Sequence, residues 1–323
     1  MSTAHALSVL GALLALVQAP RLVPPRPSAS PRGPSFEIVS CSLGCVPGTS
    51  GLVCRQSEIH VNEELRFTFN LPLDPASISN NSFRVLDTAG RTPAASLSLA
   101  PGDPATLVYR PQLTFDSAGN PIFGLVAGQV YLLHIPGTEQ GPGPYLTSLD
   151  GTPNRTRLLC ALVASRGVAD VVPGRPFAKV YVQAVVERDA QGNPVRIERV
   201  PAAGATDVLR SSPIEIVFGD LMNPATLANP VTGTSTFVRV FFDPDGDVTR
   251  PADQVPVAGS FALSLDQNRA STHLLFSASG GLPPSGTQRR PGRVVLFLSP
   301  QIQDLAGQTL SNPGTTSFTT EAR

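Results

Sequence analysis

The chain has 323 residues and balances 24 Lys and Arg against 24 Asp and Glu, so its formal net charge is zero. Only 15% of residues are charged, which leaves no basic stripe for nucleic acid or for an anionic membrane surface. Hydrophobic residues, at 41%, suffice for real cores, while 33 Pro and 28 Gly exclude long helices and favour short strands joined by turns.

The N-terminus reads "MSTAHALSVLGALLALVQAPRLVPP". Its apolar run, 6–17, is too short to span a bilayer and fits the hydrophobic region of an export signal. Val17-Gln18-Ala19 places small residues at the spacing a signal peptidase needs, so a signal peptide is expected over 1–19. A Pro/Ser-rich linker follows over 20–35. No other segment is apolar for long enough to be a transmembrane span.

Cys41, Cys45 and Cys54 cluster at the start of the first folded region, and Cys160 lies near its end. Four cysteines allow three pairings, and an exported chain would oxidise them. The expected pairs are Cys45 with Cys54 as a local clip and Cys41 with Cys160 as a long closure. A four-cysteine zinc site is the alternative, although the paired short spacings of zinc ribbons are missing.

The chain then repeats itself. "ELRFTFNLPLDPASI" (64–78) aligns without a gap on "PIEIVFGDLMNPATL" (213–227). Leu65, Phe67 and Phe69 fall on Ile214, Ile216 and Phe218, and this period of two predicts a strand with one buried face. Asp74-Pro75 falls on Asn223-Pro224. Asp and Asn cap helical turns with a side-chain oxygen, and proline suits the next position because its missing N–H costs nothing there. Leu73 with Ile78, and Met222 with Leu227, are spaced as hydrophobic staples across that turn. Each corner is therefore expected to be a strand followed by one capped helical turn, with Asp74 and Asn223 as caps rather than site residues. "SFRVLD" and "TFVRVFFD" read as the next strands. "DSAGNP" (116–121) and "DAQGNP" (189–194) read as hairpin tips. Many short strands with turns at this spacing predict an all-β fold of two β-sandwiches, over 36–165 and 176–323.

The stretch "PAAGATDVLRSSPIEIVFGDLMNPATL", followed by "LFLSPQIQDLAGQTL" and "TSFTT", resembles the bacterial Ig-like domains of S-layer and other surface proteins. The resemblance covers 201–320, with Asp304-Leu305-Ala306-Gly307 as the late turn and Phe318-Thr319-Thr320 as the closing strand. The first unit shares the strand and the Asp-Pro turn, but its opening is replaced by "SCSLGCVPGTSGLVC". The resemblance implies two tandem Ig-like sandwiches in an extracytoplasmic protein. It implies no catalytic site.

Little in the sequence marks chemistry. His60, His134 and His273 stand apart from any paired-ligand spacing, and no nucleophile elbow or phosphate loop appears. No catalytic residue is therefore assigned. One acidic cluster, "FFDPDGDVTRPAD", alternates Asp243, Asp245 and Asp247 around Gly246, a composition that can wrap a hard cation. It lacks the Gly and Glu positions of an EF-hand loop, and a solvated turn is the plainer reading. No cofactor is therefore expected, with calcium at this loop as the alternative. A sugar-stacking site is disfavoured by the absence of Trp and a count of 4 Tyr. Asn80-Asn81-Ser82 and Asn154-Arg155-Thr156 fit the glycosylation tripeptide.

The sequence thus points to a non-enzymatic extracytoplasmic protein, structural or adhesive at the bacterial surface. Its partner would be a cell-surface protein or glycan. The alternatives are a calcium- or carbohydrate-binding accessory module and a hydrolase on a sandwich scaffold.

Overall fold

A computed structural model describes residues 35–287 and 290–322. The expected export signal and nearly all of the expected linker lie outside the described residues. From Phe36 onward the chain forms one compact unit. It is all-β: among the described residues the only helical segments are three short 3-10 turns.

The alternation seen in the sequence decides which side chains are inside. In the Leu65–Phe69 strand Leu65, Phe67 and Phe69 are buried while Arg66 is exposed. In Ile214–Phe218 the same pattern buries Ile214, Ile216 and Phe218. Burying each such side chain contributes about 1.5–3 kcal/mol, which fixes the register because a one-residue slip would turn the apolar set to water.

These strands seed two separate cores. The first runs from Phe36 to Ala164 and is built by two sheets. One sheet has the order Ile38–Cys41, Leu65–Phe69, Asp103–Pro111, Ala95–Ala100. The other has the order Cys45–Gly48, Gly51–Cys54, Leu158–Ala164, Val130–Ile135, Arg84–Asp87. Phe67 and Tyr109 from one sheet, and Leu133 and Leu162 from the other, belong to the same core. The second core runs from Ala178 to Phe318. Its sheets are Pro194–Pro201, Ala178–Arg188, Ile214–Phe218, Ser271–Ala278, Gly259–Asp266 and Val255–Pro256, Val238–Asp243, Arg293–Leu298, Gly314–Phe318, each in that order.

The two strand-to-turn corners are built alike. Asp74 Oδ1 accepts from Ala76 N at 2.9 Å, and Asn223 Oδ1 accepts from Ala225 N at 3.1 Å. Each caps a single 3-10 turn, Pro75–Ser77 or Pro224–Thr226. Leu73, Met222 and Leu227 are buried and Ile78 is partly buried in the matching cores. Each corner is locked to a late turn by the same bonds: Asp74 N donates to Thr147 O and Asn223 N to Gln303 O, both at 2.9 Å. In return Thr147 N donates to Ser77 Oγ at 3.1 Å, and Gln303 N to Thr226 Oγ1 at 3.0 Å. The two Asp-x-x-Gly-Asn-Pro tips are also matched. Asp116 accepts from Ala118 N and Asn120 N, and Asp189 accepts from Gln191 N and Asn193 N.

Residues 165–177 connect the two cores. Side chains fasten this connector and the flanking turns: Gln308 Nε2 donates to Asp170 Oδ2 at 2.6 Å, and Arg175 donates to Thr309 O at 3.0 Å and Leu310 O at 2.7 Å. The turn at 266–269 of the second core reaches the first. Leu113 N donates to Gln267 Oε1 at 3.3 Å, Gln267 Nε2 donates to Pro111 O at 3.2 Å, and Arg110 donates to Asn268 Oδ1.

Candidate functional site

The cysteines pair differently from the sequence expectation. Cys41 bonds Cys45 and Cys54 bonds Cys160, with Cα–Cα distances of 5.5 and 5.4 Å. The expected pairs, Cys45–Cys54 and Cys41–Cys160, are not formed. Cys45 does stand opposite Cys54 in the hairpin of Cys45–Gly48 and Gly51–Cys54. However, a turn at Gly44, with φ +67, folds Cys45 back towards Cys41. Cys54 then lies on a strand that runs parallel to Leu158–Ala164 with Leu52 opposite Leu158, and two residues on, that register faces it to Cys160. None of the four is a free thiol. The sulfurs of Cys41, Cys45 and Cys54 all lie within 4.8 Å of one another, so local spacing alone could not have chosen among them.

The loop at Asp243 splits into separate pieces. Asp243 ends the Val238–Asp243 strand and is fully buried, and neither of its carboxylate oxygens has a hydrogen-bond partner. Burial first, and the neighbouring Asp245 second, push its carboxyl above the usual range, while Gln254 and the Gly246 N–H, close by but outside good hydrogen-bond geometry, favour the charged form. Asp245 Oδ1 instead accepts from Asp247 N at 2.8 Å. Asp247 turns to Thr249, taking its Oγ1 at 2.5 Å and its N at 3.2 Å, and pairs with Arg250 at 3.4 Å. Those hydrogen bonds hold the Asp247 carboxyl below its usual value. Gly246, at φ +70, makes the turn, and a Cβ there would meet Pro291 O at 2.6 Å. Asp243, Asp245 and Asp247 therefore do not converge as a set of three ligands.

The histidines sit in local arrangements. His60 Nδ1 lies 3.3 Å from Glu63 Oε2, whose oxygen also accepts from His60 N. His273 Nδ1 lies 3.3 Å from Glu215 Oε1. Glu215 is bonded in turn by Arg199 at 2.6 Å, and Arg199 stacks 3.4 Å over the Tyr181 ring. His134 lies on the Val130–Ile135 strand, where burial and the arginines at 84 and 157 depress its pKa. Asn154 is fully buried, and its Nδ2 donates to Pro136 O and Thr156 O, so this tripeptide offers no accessible amide for a glycan. Asn80 is exposed.

A cleft of about 520 Å³ opens where the two cores meet, lined in part by Glu64, Arg110, Phe123, Asp170 and Asn268. Glu64 is neutralised there by Arg110 at 2.5 Å and Arg66 at 2.7 Å. Beside it lies an acidic group that sequence reasoning passed over: Asp170, Asp220 and Asp304. Its three members come from segments far apart in the chain, so no local pattern could have signalled them. Among the described residues no helix is long and apolar enough to cross a membrane.

No family model matches the chain, and neither does any curated protein. Among solved structures, the N-terminal part of the bacterial S-layer protein SbsC overlaps with a TM-score of 0.28 and 10% identity, over 88% of this chain and 44% of that one. The S-layer protein rSbsC(31-844) overlaps with a TM-score of 0.23 and 8% identity, over 89% of this chain and 54% of that one. The chain thus spans about half the length of either structure, in an overlap too loose to carry an argument about fold or function.

Proposed function

We propose that this chain is a non-enzymatic, extracytoplasmic protein of two Ig-like sandwiches that serves a structural or adhesive role at the bacterial cell surface. The observation that carries the reading is the pair of disulfides, Cys41–Cys45 and Cys54–Cys160, within an all-β unit. Such bonds persist in oxidising compartments, and the apolar stretch at 6–17 would supply the export signal. The side-chain bonds from Gln267 and Asn268 to the first core support a stiff spacer rather than two freely hinged modules.

Contact with a surface protein or glycan would come from loops and an open sheet edge. Pro194–Pro201 ends its sheet and exposes Val195 at 61% and Ile197 at 47%, flanked by Arg196 and Glu198. Such an edge can accept another chain by strand addition. The test is fractionation and surface proteolysis of intact cells, followed by a pull-down on fractionated cell envelope. Protein accessible from outside and retained by an envelope component supports the reading. Intact protein in the cytosol overturns it.

A further inference from the structure

The geometry points to a calcium-class cation site formed by Asp170, Asp220 and Asp304. One carboxylate oxygen from each lies within 4.8 Å of the others. That is about the span that two oxygens can have on one calcium ion, given Ca–O distances of about 2.3–2.6 Å. Asp220 follows the Ile214–Phe218 strand, Asp304 opens the turn at 304–308, and Asp170 belongs to the connector. Leu305 N donates to Leu221 O at 3.0 Å, and Gln308 Nε2 holds Asp170 at 2.6 Å, so all three are positioned by the surrounding bonds.

The corner of the first core shows what this arrangement does not need. In the alignment of the two corners, Leu71 stands where the second has Asp220. Ser148 opens the equivalent late turn. Its N donates to Thr152 O and its Oγ accepts from Thr152 N, as Asp304 N donates to Gln308 O and Asp304 Oδ1 accepts from Gln308 N. At its first position the Ser148 turn needs only a hydroxyl oxygen, and the carboxylate it does use, Asp150, is exposed and satisfied by Ser148 Oγ and Thr152 N. Asp304 carries a second oxygen, Oδ2, which is buried without a hydrogen-bond partner in a residue only 2% exposed. Asp220 is 3% exposed and uses Oδ1 to accept from Leu221 N at 2.7 Å. Replacing a leucine and a serine by two buried carboxylates, beside a third, is a large cost to stability unless a cation neutralises them.

An all-oxygen donor set selects a hard cation over zinc. The exposed Asp170 leaves one side open to water, which calcium's coordination number of about 6–8 requires. Bound there, the ion would clamp the connector onto the corner of the second core. The competing account is one proton shared among the three carboxylates.

The test uses the whole chain, with calcium chloride followed by thermal denaturation and terbium luminescence as direct probes. Calcium should raise Tm and quench bound terbium luminescence by displacement. Asp304→Asn should abolish both responses. Asp170→Asn, at an exposed position whose amide oxygen can still accept from Gln308, should weaken calcium binding by at least about tenfold. Three results overturn the proposal: no response in the native chain, an unchanged response in Asp170→Asn, or a response lost in Asp243→Asn alone. A calcium-independent rise in Tm in Asp304→Asn, with no terbium binding by the native chain, assigns the cluster to a shared proton.

Discussion

Single side chains set the two corners, and their contributions can be measured separately. Asp74 and Asn223 each satisfy one backbone N–H that the 3-10 turn leaves open. Replacing either by alanine should cost about 1 kcal/mol in urea denaturation, with the slope of the transition unchanged. A loss beyond about 2 kcal/mol would mean that the residue does more than cap. Asp243 acts in the opposite direction. Its carboxyl is pushed above its ordinary value by burial and by Asp245, so the folded chain binds this proton more tightly than the unfolded chain does. The stability it contributes is full below the ordinary value of 3.8 and is lost as pH rises through the raised one. Asp243→Asn should therefore stabilise the chain near neutral pH, by removing a buried charge that burial and Asp245 oppose more than Gln254 and the Gly246 N–H favour it. The gain should vanish in acid, and an equal gain at both pH values would refute this account.

At the scale of elements, what the sequence revealed was what is local. The Leu65–Phe69 and Ile214–Phe218 strands, their capped turns and the two hairpin tips each depend on fewer than about 15 consecutive residues, a window in which period and turn chemistry suffice. The disulfide pairing was not legible, because it rests on the parallel register of Gly51–Cys54 against Leu158–Ala164. Three sulfurs within 4.8 Å of one another left the choice to that register. The acidic group of Asp170, Asp220 and Asp304 is likewise assembled from distant segments, whereas the alternating Asp243, Asp245 and Asp247 are adjacent in sequence yet do not converge as three ligands. The observed pairing has its own consequence. Cys54–Cys160 closes a sequence separation of 106 residues and Cys41–Cys45 one of 4. In the loop-entropy account these restrict the unfolded chain by about 5 and about 2 kcal/mol. A Cys54→Ser/Cys160→Ser double variant should therefore lose clearly more stability than Cys41→Ser/Cys45→Ser. Peptide mapping should also recover 41–45 and 54–160 as the bonded pairs, and recovery of 45–54 would reject the parallel register.

The joint between the cores decides how the whole molecule behaves, and Arg110 is its centre. Its side chain is only 12% exposed. It donates to Glu64 Oε2 through Nε at 2.9 Å and Nη2 at 2.5 Å, both within the first core, and it reaches across to Asn268 Oδ1 of the second. Removing it deletes the cross-core bond and leaves Glu64 with Arg66, whose Nη2 is 2.7 Å from Glu64 Oε1. Arg66→Ala is the matched control, since it takes the other arginine from Glu64 without touching the second core. Arg110→Ala should cost about 1–3 kcal/mol, the range for charge-assisted hydrogen bonds, and it should also speed protease cleavage within 165–177 several-fold. Arg66→Ala, which removes a guanidinium that is 54% exposed, should cost less than about 1 kcal/mol and leave that cleavage rate unchanged. If both variants are cut at the native rate, the joint is held by Gln267 and by the Asp170–Gln308 contact instead, and Gln267→Ala becomes the variant that loosens it. If both loosen equally, Glu64 transmits the effect through the first core, and the bond to Asn268 is incidental. A stiff spacer requires that Arg110→Ala or Gln267→Ala loosen the joint, because only a bond that crosses it, from Arg110 to Asn268 or from Gln267 to Pro111 and Leu113, can resist bending there.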